Sequence, residues 1–256
     1  MGSRKRLPIL VLGHRTPNLM NGLAAISLLV AALTSLLCGI VPVHASTPTW
    51  FSLGQNALCV TEGVIKEAAG NRLSVDVPKM RAYVNKWTAQ AIEARFTYLG
   101  PTVVKAPLGS GEIRQQLGLK LHAQDGCNLV YAIWRFEPES KLVVSVKNNP
   151  REHTSADCGN RGYRNIKARK ASAIPVLHPG ETHTLRAEMH AAEMAVFVDA
   201  KLVWEGNVGP DALSFNGPVG IRSDNARIDL EIRARKSDEV HPDYVLSCKS
   251  DGGESD

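Results

Sequence analysis

Residues 181–233, ETHTLRAEMHAAEMAVFVDAKLVWEGNVGPDALSFNGPVGIRSDNARIDLEIR, hold the tightest constraint on the fold. Leu185, Ala187 and Met189 alternate with Arg186 and Glu188, Val196 and Val198 follow, and Ile228, Leu230 and Ile232 alternate with Asp229, Glu231 and Arg233. A period of two describes strands with one packed face and one wet face. Asp199-Ala200-Lys201 reads as a tight reversal into a returning strand that carries Trp204. The second position of such a turn commonly needs positive φ, which Gly supplies freely, so Ala200 either costs conformational energy or sits in a longer loop.

The same period recurs upstream. Ala91–Leu99 sets Ile92, Ala94, Phe96 and Tyr98 against Glu93, Arg95 and Thr97. Glu112–His122 sets Ile113, Gln115, Leu117, Leu119 and Leu121 against Arg114, Gln116, Lys120 and His122. Asn128–Phe136 is apolar on both faces, as a central strand is. Lys141–Lys147 places Leu142, Val144 and Val146 inward and Ser145 and Lys147 outward. Shorter strands are expected over 57–65 and 72–77 with Gly70-Asn71 as their turn, and another starts at Tyr83-Val84. Over 148–169 the alternation stops among Pro, Asn and Gly, which predicts a long loop with a strand at 163–167. Residues 249–256 are polar and expected to be a disordered tail. With no internal repeat, these signals predict one all-β domain over 46–248, a two-sheet antiparallel β-sandwich.

The first residues are of another kind. Arg4, Lys5, Arg6 and Arg15 precede an apolar run over 22–43 and a Val43-His44-Ala45 site, which predicts a signal peptide over 1–45 and a secreted or periplasmic chain. The run is long enough to span a bilayer, so an uncleaved anchor is the competing reading and the one route to a membrane; Pro42 and the small residues favour cleavage. Leu37 stands where a lipoprotein signal before Cys38 needs a small residue. The chain carries a net +5; removing the four basic residues of the leader leaves +1, so the basic balance gives no case for a nucleic-acid partner. Cys59, Cys127, Cys158 and Cys248 remain, with three possible pairings, and no Cys-x-x-Cys pair points to a metal.

The order HTLRAEM, AVFVDAKLVWEG, GPVGIRSDNAR and a last strand resembles the C-terminal part of concanavalin A-like jelly rolls, the laminin G-like and glucanase-like sandwiches that include a family of 3-keto-disaccharide hydrolases. The likeness is confined to residues 181–233 and marks architecture more than chemistry. It implies a jelly roll, whose first and last strands lie side by side. That arrangement favours Cys59 with Cys248, leaving Cys127 with Cys158 to flank one excursion.

If the four middle strands pair in one sheet, Arg95, Arg114, Gln116, Lys120, Trp134 and Lys147 share a surface, with Tyr131 and Arg135 on the strand of Trp134. An aromatic face for a sugar ring beside Arg, Gln and Lys is the chemistry of glycan recognition, and the basic groups favour an acidic glycan. The bland reading makes Trp134 and Tyr131 core aromatics and the charges a solvated face.

Catalytic patterns are weaker. Laminarinase-like enzymes of this fold carry Glu-x-Asp-x-Glu, and the nearest string, Arg227-Ile-Asp229-Leu-Glu231, has lost its leading carboxylate. Asp229 and Glu231 therefore read as the wet face of a strand, and Glu137 and Glu139 flank Pro138 in a turn. His122, His153 and Tyr163 have the types that a lyase base needs. Calcium could draw oxygens from Asp157 and Asn160 or from Asp224 and Asn225, but without a dense acidic run the latter pair reads as a turn cap and no cofactor is indicated. The expectation is an exported non-catalytic module that binds a polysaccharide or glycoconjugate. A carbohydrate-active hydrolase or lyase and a structural or protein-binding envelope component are the alternatives.

Overall fold

The computed structural model describes residues 49–70, 72–85, 88–236 and 248. The leader expected over 1–45, Asn71 of the expected turn and the tail over 249–256 lie outside the described residues. In chain order the strands are β1 Trp50–Leu53, β2 Leu58–Glu62, β3 Lys66–Ala68, β4 Arg72–Val75, β5 Lys79–Val84, β6 Ala89–Pro101, β7 Gln115–Leu121, β8 Leu129–Glu137 and β9 Lys141–Lys147. After a helical turn at Ser155–Cys158 come β10 Tyr163–Asn165, β11 Lys170–Ala171, β12 Thr182–His190, β13 Glu193–Val198, β14 Lys201–Asn207, β15 Gly220–Asp224 and β16 Ala226–Lys236.

They form two antiparallel sheets packed as a β-sandwich. The first sheet runs β11-β14-β13-β12-β6-β16-β4-β3, with β1 also on β16; the second runs β10-β9-β8-β7-β15-β5-β2. Between them the alternating apolar residues meet. Phe96 of the first sheet stands edge-on to Trp134 of the second at 5.7 Å between ring centroids and stacks on Phe136 at 5.8 Å. Burial of such side chains contributes about 1.5–3 kcal/mol each, which ties the sheets face to face.

Sheet membership overturns one expectation. Strand β6 does not join β7, β8 and β9: it pairs with β12 and β16 in the other sheet, and residues 102–114 cross between layers. Arg95 therefore projects from the outer face of the first sheet, 3.3 Å from Glu231, away from the other basic candidates. The alternation of β6 is as read, with Ile92, Ala94, Phe96 and Tyr98 buried. Period two assigns faces within a strand but not the neighbour with which it pairs.

Two disulfides cross-link the chain. Cys59 is joined to Cys248 with 5.4 Å between Cα atoms, and Cys127 to Cys158 with 5.9 Å. The first closes a loop of 189 residues, which on the chain-entropy account stabilises the fold by about 5 kcal/mol.

The β13–β14 reversal is a two-residue loop, since Val198 pairs with Lys201. Asp199 and Ala200 have φ of 50° and 63°, the left-handed pair that suits the twist of a hairpin. Asp199 repays its conformation by accepting the Thr184 amide at 2.8 Å, while Ala200 carries the left-handed cost uncompensated. Replacing Ala200→Gly is expected to raise stability by about 1 kcal/mol, read as a shift in the urea midpoint at unchanged slope. A neutral or lower midpoint contradicts the strained-turn assignment.

Candidate functional site

The outward-pointing residues of the second sheet form a groove of 460 Å³. Its floor follows from alternation. Met80, Leu117, Leu119, Ile221, Trp134, Phe136, Val144 and Val146 go to the core, so Arg81, Gln116, Gly118, Arg222, Tyr131, Ile133, Arg135, Ser145 and Lys147 go the other way.

Beneath one end of that floor lies Asp224, the last residue of β15 and fully buried. Its Oδ1 accepts Arg81 Nη2 at 2.5 Å, and its Oδ2 accepts Gln116 Nε2 at 2.8 Å and Arg222 Nη2 at 2.8 Å and Nε at 3.1 Å. Burial by itself would raise the Asp224 pKa, but Arg222 and Arg81 hold it down at about 2. Burial would likewise lower the pKa of Arg222, and the Asp224 carboxylate reverses that and raises it. Arg222 reaches sideways across its neighbour strand because Gly118 has no side chain. A Cβ there would stand 2.9 Å from Arg222 Cγ and 3.0 Å from Ile133 Cγ1.

More cationic groups gather here than Asp224 neutralises. The pKa of Arg114 is lowered by burial and then by the neighbouring charges of Arg135 and Arg222, with Asp224 opposing. Its carboxylate partner, Glu112, is half-exposed at the rim. Arg135 Nε is buried without a hydrogen-bond partner among the described residues. The groove also has an aromatic side: Tyr131 and Tyr163 stack at 6.0 Å and 24°, and the Arg222 guanidinium lies 5.2 Å from the Tyr131 ring. Tyr131 is 4 % exposed, and burial raises its phenol pKa well above the usual value; Tyr163 is 39 % exposed and presents the accessible ring.

Of the expected surface, Arg114, Gln116, Tyr131, Arg135 and Lys147 line the groove. Lys147 is nonetheless spoken for. Its Nζ donates to the carbonyls of Gly126 at 3.1 Å and Gly159 at 2.9 Å and lies 2.9 Å from Cys158 Sγ, so it fastens the disulfide loop to the sheet. Burial is the main reason its pKa is lowered. Lys120 shares the face but is 1 % exposed, with Nζ 3.8 Å above the Tyr83 ring.

Trp134 corrects the expectation outright: it is fully buried in the core, its indole Nε1 donating to Ser140 Oγ at 3.3 Å. Adjacent residues of a strand point to opposite faces, so Trp134 cannot share a surface with Tyr131 and Arg135, three and one positions away. Arg81 and Arg222 were missed as groove residues, and Tyr163 was weighed only as a base. The available signal was the i, i+2 spacing of Gly220, Arg222 and Asp224 in GPVGIRSDNAR, which puts an Arg and an Asp on one face.

The remaining candidates lie elsewhere or are engaged. Asp229 and Glu231 belong to β16 in the other sheet, and His153 pairs with Asp125 at 2.8 Å outside the groove lining. Asp224 is filled by guanidinium and amide donors, which leaves it a poor cation ligand. Asn225, at φ 51°, uses its amide on Ala106 N at 2.8 Å, Ala106 O at 2.9 Å and Arg114 O at 3.0 Å, clamping the base of loop 102–114. Asp157 accepts Thr154 Oγ1 at 2.6 Å.

No family model and no curated protein matches the chain. Solved structures to which it is similar include the carbohydrate binding module CBM66 from Bacillus subtilis, at 12 % identity and TM-score 0.47, covering 75 % of this chain and 98 % of that one. The carbohydrate recognition domain of Emp46p in its metal-free form aligns at 10 % identity and TM-score 0.44, over 70 % and 87 %. A tetrameric galectin from Cinachyrella sp. aligns at 13 % identity and TM-score 0.40, over 62 % and 100 %.

Substituting Asp224→Asn leaves Arg81 and Arg222 buried without their counter-charge and is expected to destabilise the fold by about 3–5 kcal/mol at neutral pH. Because its folded pKa lies below the ordinary 3.8, Asp224 contributes fully above that value and loses its contribution as pH falls from 3.8 toward 2. Denaturant titrations across that window should show this loss in the wild type and its reduction in the variant. Equal stability of the two proteins at neutral pH contradicts the assignment.

Proposed function

We propose that this chain is an exported, non-catalytic binding module whose groove on the outer face of the second sheet takes an anionic glycan. The observation that carries the reading is the gathering of Arg81, Arg114, Arg135 and Arg222 in one groove, two of them on the buried Asp224 carboxylate, beside the accessible ring of Tyr163. A guanidinium presents paired donors that match a carboxylate or sulfate, and hydrogen bonds between ionised partners are about twice as strong as neutral ones. Arg135 is the main contact residue, because Arg81 and Arg222 are committed to Asp224 and Arg114 is paired with Glu112. Ser145 and Asn165 line the same space with the hydroxyl and amide groups that sugar hydroxyls need. Export is supported by the leader pattern and by two disulfides, which persist in oxidising compartments.

A hydrolase reading lacks support in the groove. Its buried carboxylate is saturated by cations, whereas glycoside hydrolysis commonly needs two carboxyl groups across the scissile bond. One observation keeps a lyase as the second reading: Tyr163 shares the groove with Gln116 and Arg135, the base and neutralising types that proton abstraction beside a uronate carboxylate requires. Formation of unsaturated uronate ends, followed by ultraviolet absorbance, separates it from binding alone.

The mature chain, presented with neutral, uronate and sulfated oligosaccharides, is expected to retain only the charged ones, with affinity falling as salt is raised. Arg135→Ala should weaken binding tenfold or more, the scale of a charge-assisted hydrogen bond worth about 1.5–3 kcal/mol, without lowering the unfolding midpoint. Equal capture of neutral chains, or an unchanged affinity in the variant, rejects the reading.

A further inference from the structure

Two loops from opposite ends of the second sheet meet at the groove. Loop 102–114 is clamped at one end of the second sheet, where β7 begins and β15 ends: Asp224 pairs with Gln116, and Asn225 holds Ala106 and Arg114. Residues 158–162 are held at the other end, where β9 finishes and β8 begins. There Leu129 pairs with Lys147, Cys127 is bonded to Cys158, and the Asn148 amide donates to Gly162 O at 3.0 Å. The strands between these ends, such as the seven residues of β7, extend about 20 Å at 3.3 Å per residue. Yet a Cβ added at Gly109 would lie 3.4 Å from Asn160 Cβ, so the tip of the first loop touches the second. The tip is a closed turn, with the Leu108 amide on Glu112 O at 2.9 Å and the Gly111 amide on Leu108 O at 2.8 Å. Gly109 and Asn160 both line the groove, together with floor residues from β5, β7, β8, β9, β10 and β15.

We infer that the Gly109–Asn160 contact bridges the groove, so that the site is loaded by the end of an anionic glycan threading beneath it and not by an internal stretch laid on from the side. This rests on the glycan reading and names the part of the polymer that is recognised. Sideways docking needs the bridge to part, whereas a chain terminus passes without disturbing the disulfide, the Lys147 fastening or the Asn225 clamp. Recognition of ends makes capacity follow the number of termini, not the mass of polymer.

The test uses one unbranched polyuronate, intact and cut to a series of lengths, with the mature chain. The wild type is expected to bind in proportion to the number of ends, so that halving chain length doubles the protein bound at equal mass. A Gly109→Cys, Asn160→Cys double variant places two sulfurs across a Cβ separation suited to a disulfide and locks the bridge shut. With its closure checked by peptide mass, the locked protein should keep the short-chain affinity of the wild type. Removing residues 109–111 should open the groove and make binding follow mass at every length. Wild-type binding that follows mass, or loss of short-chain binding on locking, overturns the bridge while leaving the glycan reading intact. Silence toward uronate and sulfated chains of every length overturns both.

Discussion

A carboxylate with no solvent contact organises this molecule. Buried charge is costly unless it is paired and hydrogen-bonded, and Asp224 meets that condition with Arg81, Arg222 and Gln116, drawn from three adjacent strands. The network works only if β5, β15 and β7 lie side by side in one register, which is the pairing observed. It also needs Gly118, whose missing side chain lets Arg222 lie flat across β7 toward Tyr131. Sheet order, strand register and the electrostatics of the groove floor are thus different expressions of one interaction.

The neighbouring residue extends this control to the groove wall. Asn225 follows Asp224 in the left-handed region, so its amide turns toward loop 102–114 and bonds Ala106 in both directions as a strand partner would. The opposite wall is set by different means: a disulfide, an N-cap at Thr154 and the buried ammonium of Lys147 spread over two carbonyls and a sulfur. Both walls are therefore built from polar groups that are already satisfied. The charge left for a ligand sits mainly on Arg135, since Arg114 is paired with Glu112.

The outer faces of the two sheets differ in this respect. On the first sheet, Arg95 with Glu231, Arg233 with Glu93 and Arg235 with Glu188 alternate in sign and neutralise one another. Neutralised pairs create no strong local field, and the exposed one, Arg95 with Glu231, contributes little to stability. On the second sheet Arg81, Arg114, Arg135 and Arg222 share one groove above the buried Asp224, with the exposed Glu62 and Glu112 as further partners of Arg81 and Arg114, and under partial cover screening by water is weaker.

Much of the fold was legible in the chain because period-two burial is a local property. The faces of β6, β7 and β9, the bounds of β9 at Lys141 and Lys147 and the reversal at Asp199 could all be read from neighbouring residues. Trp134 could not be placed by the same rule, since β8 is apolar on both faces and only parity with its flanking strands separates Trp134 from Tyr131 and Arg135. Which strands pair is a long-range choice: it sent Arg95 to the other sheet and brought Arg81 and Arg222, distant in sequence, onto one carboxylate. The sequence by itself determined the strand faces, through the alternation of apolar and polar side chains. Tertiary structure alone decided which faces adjoin, because pairing and loop crossing are settled by contacts among residues far apart in the chain.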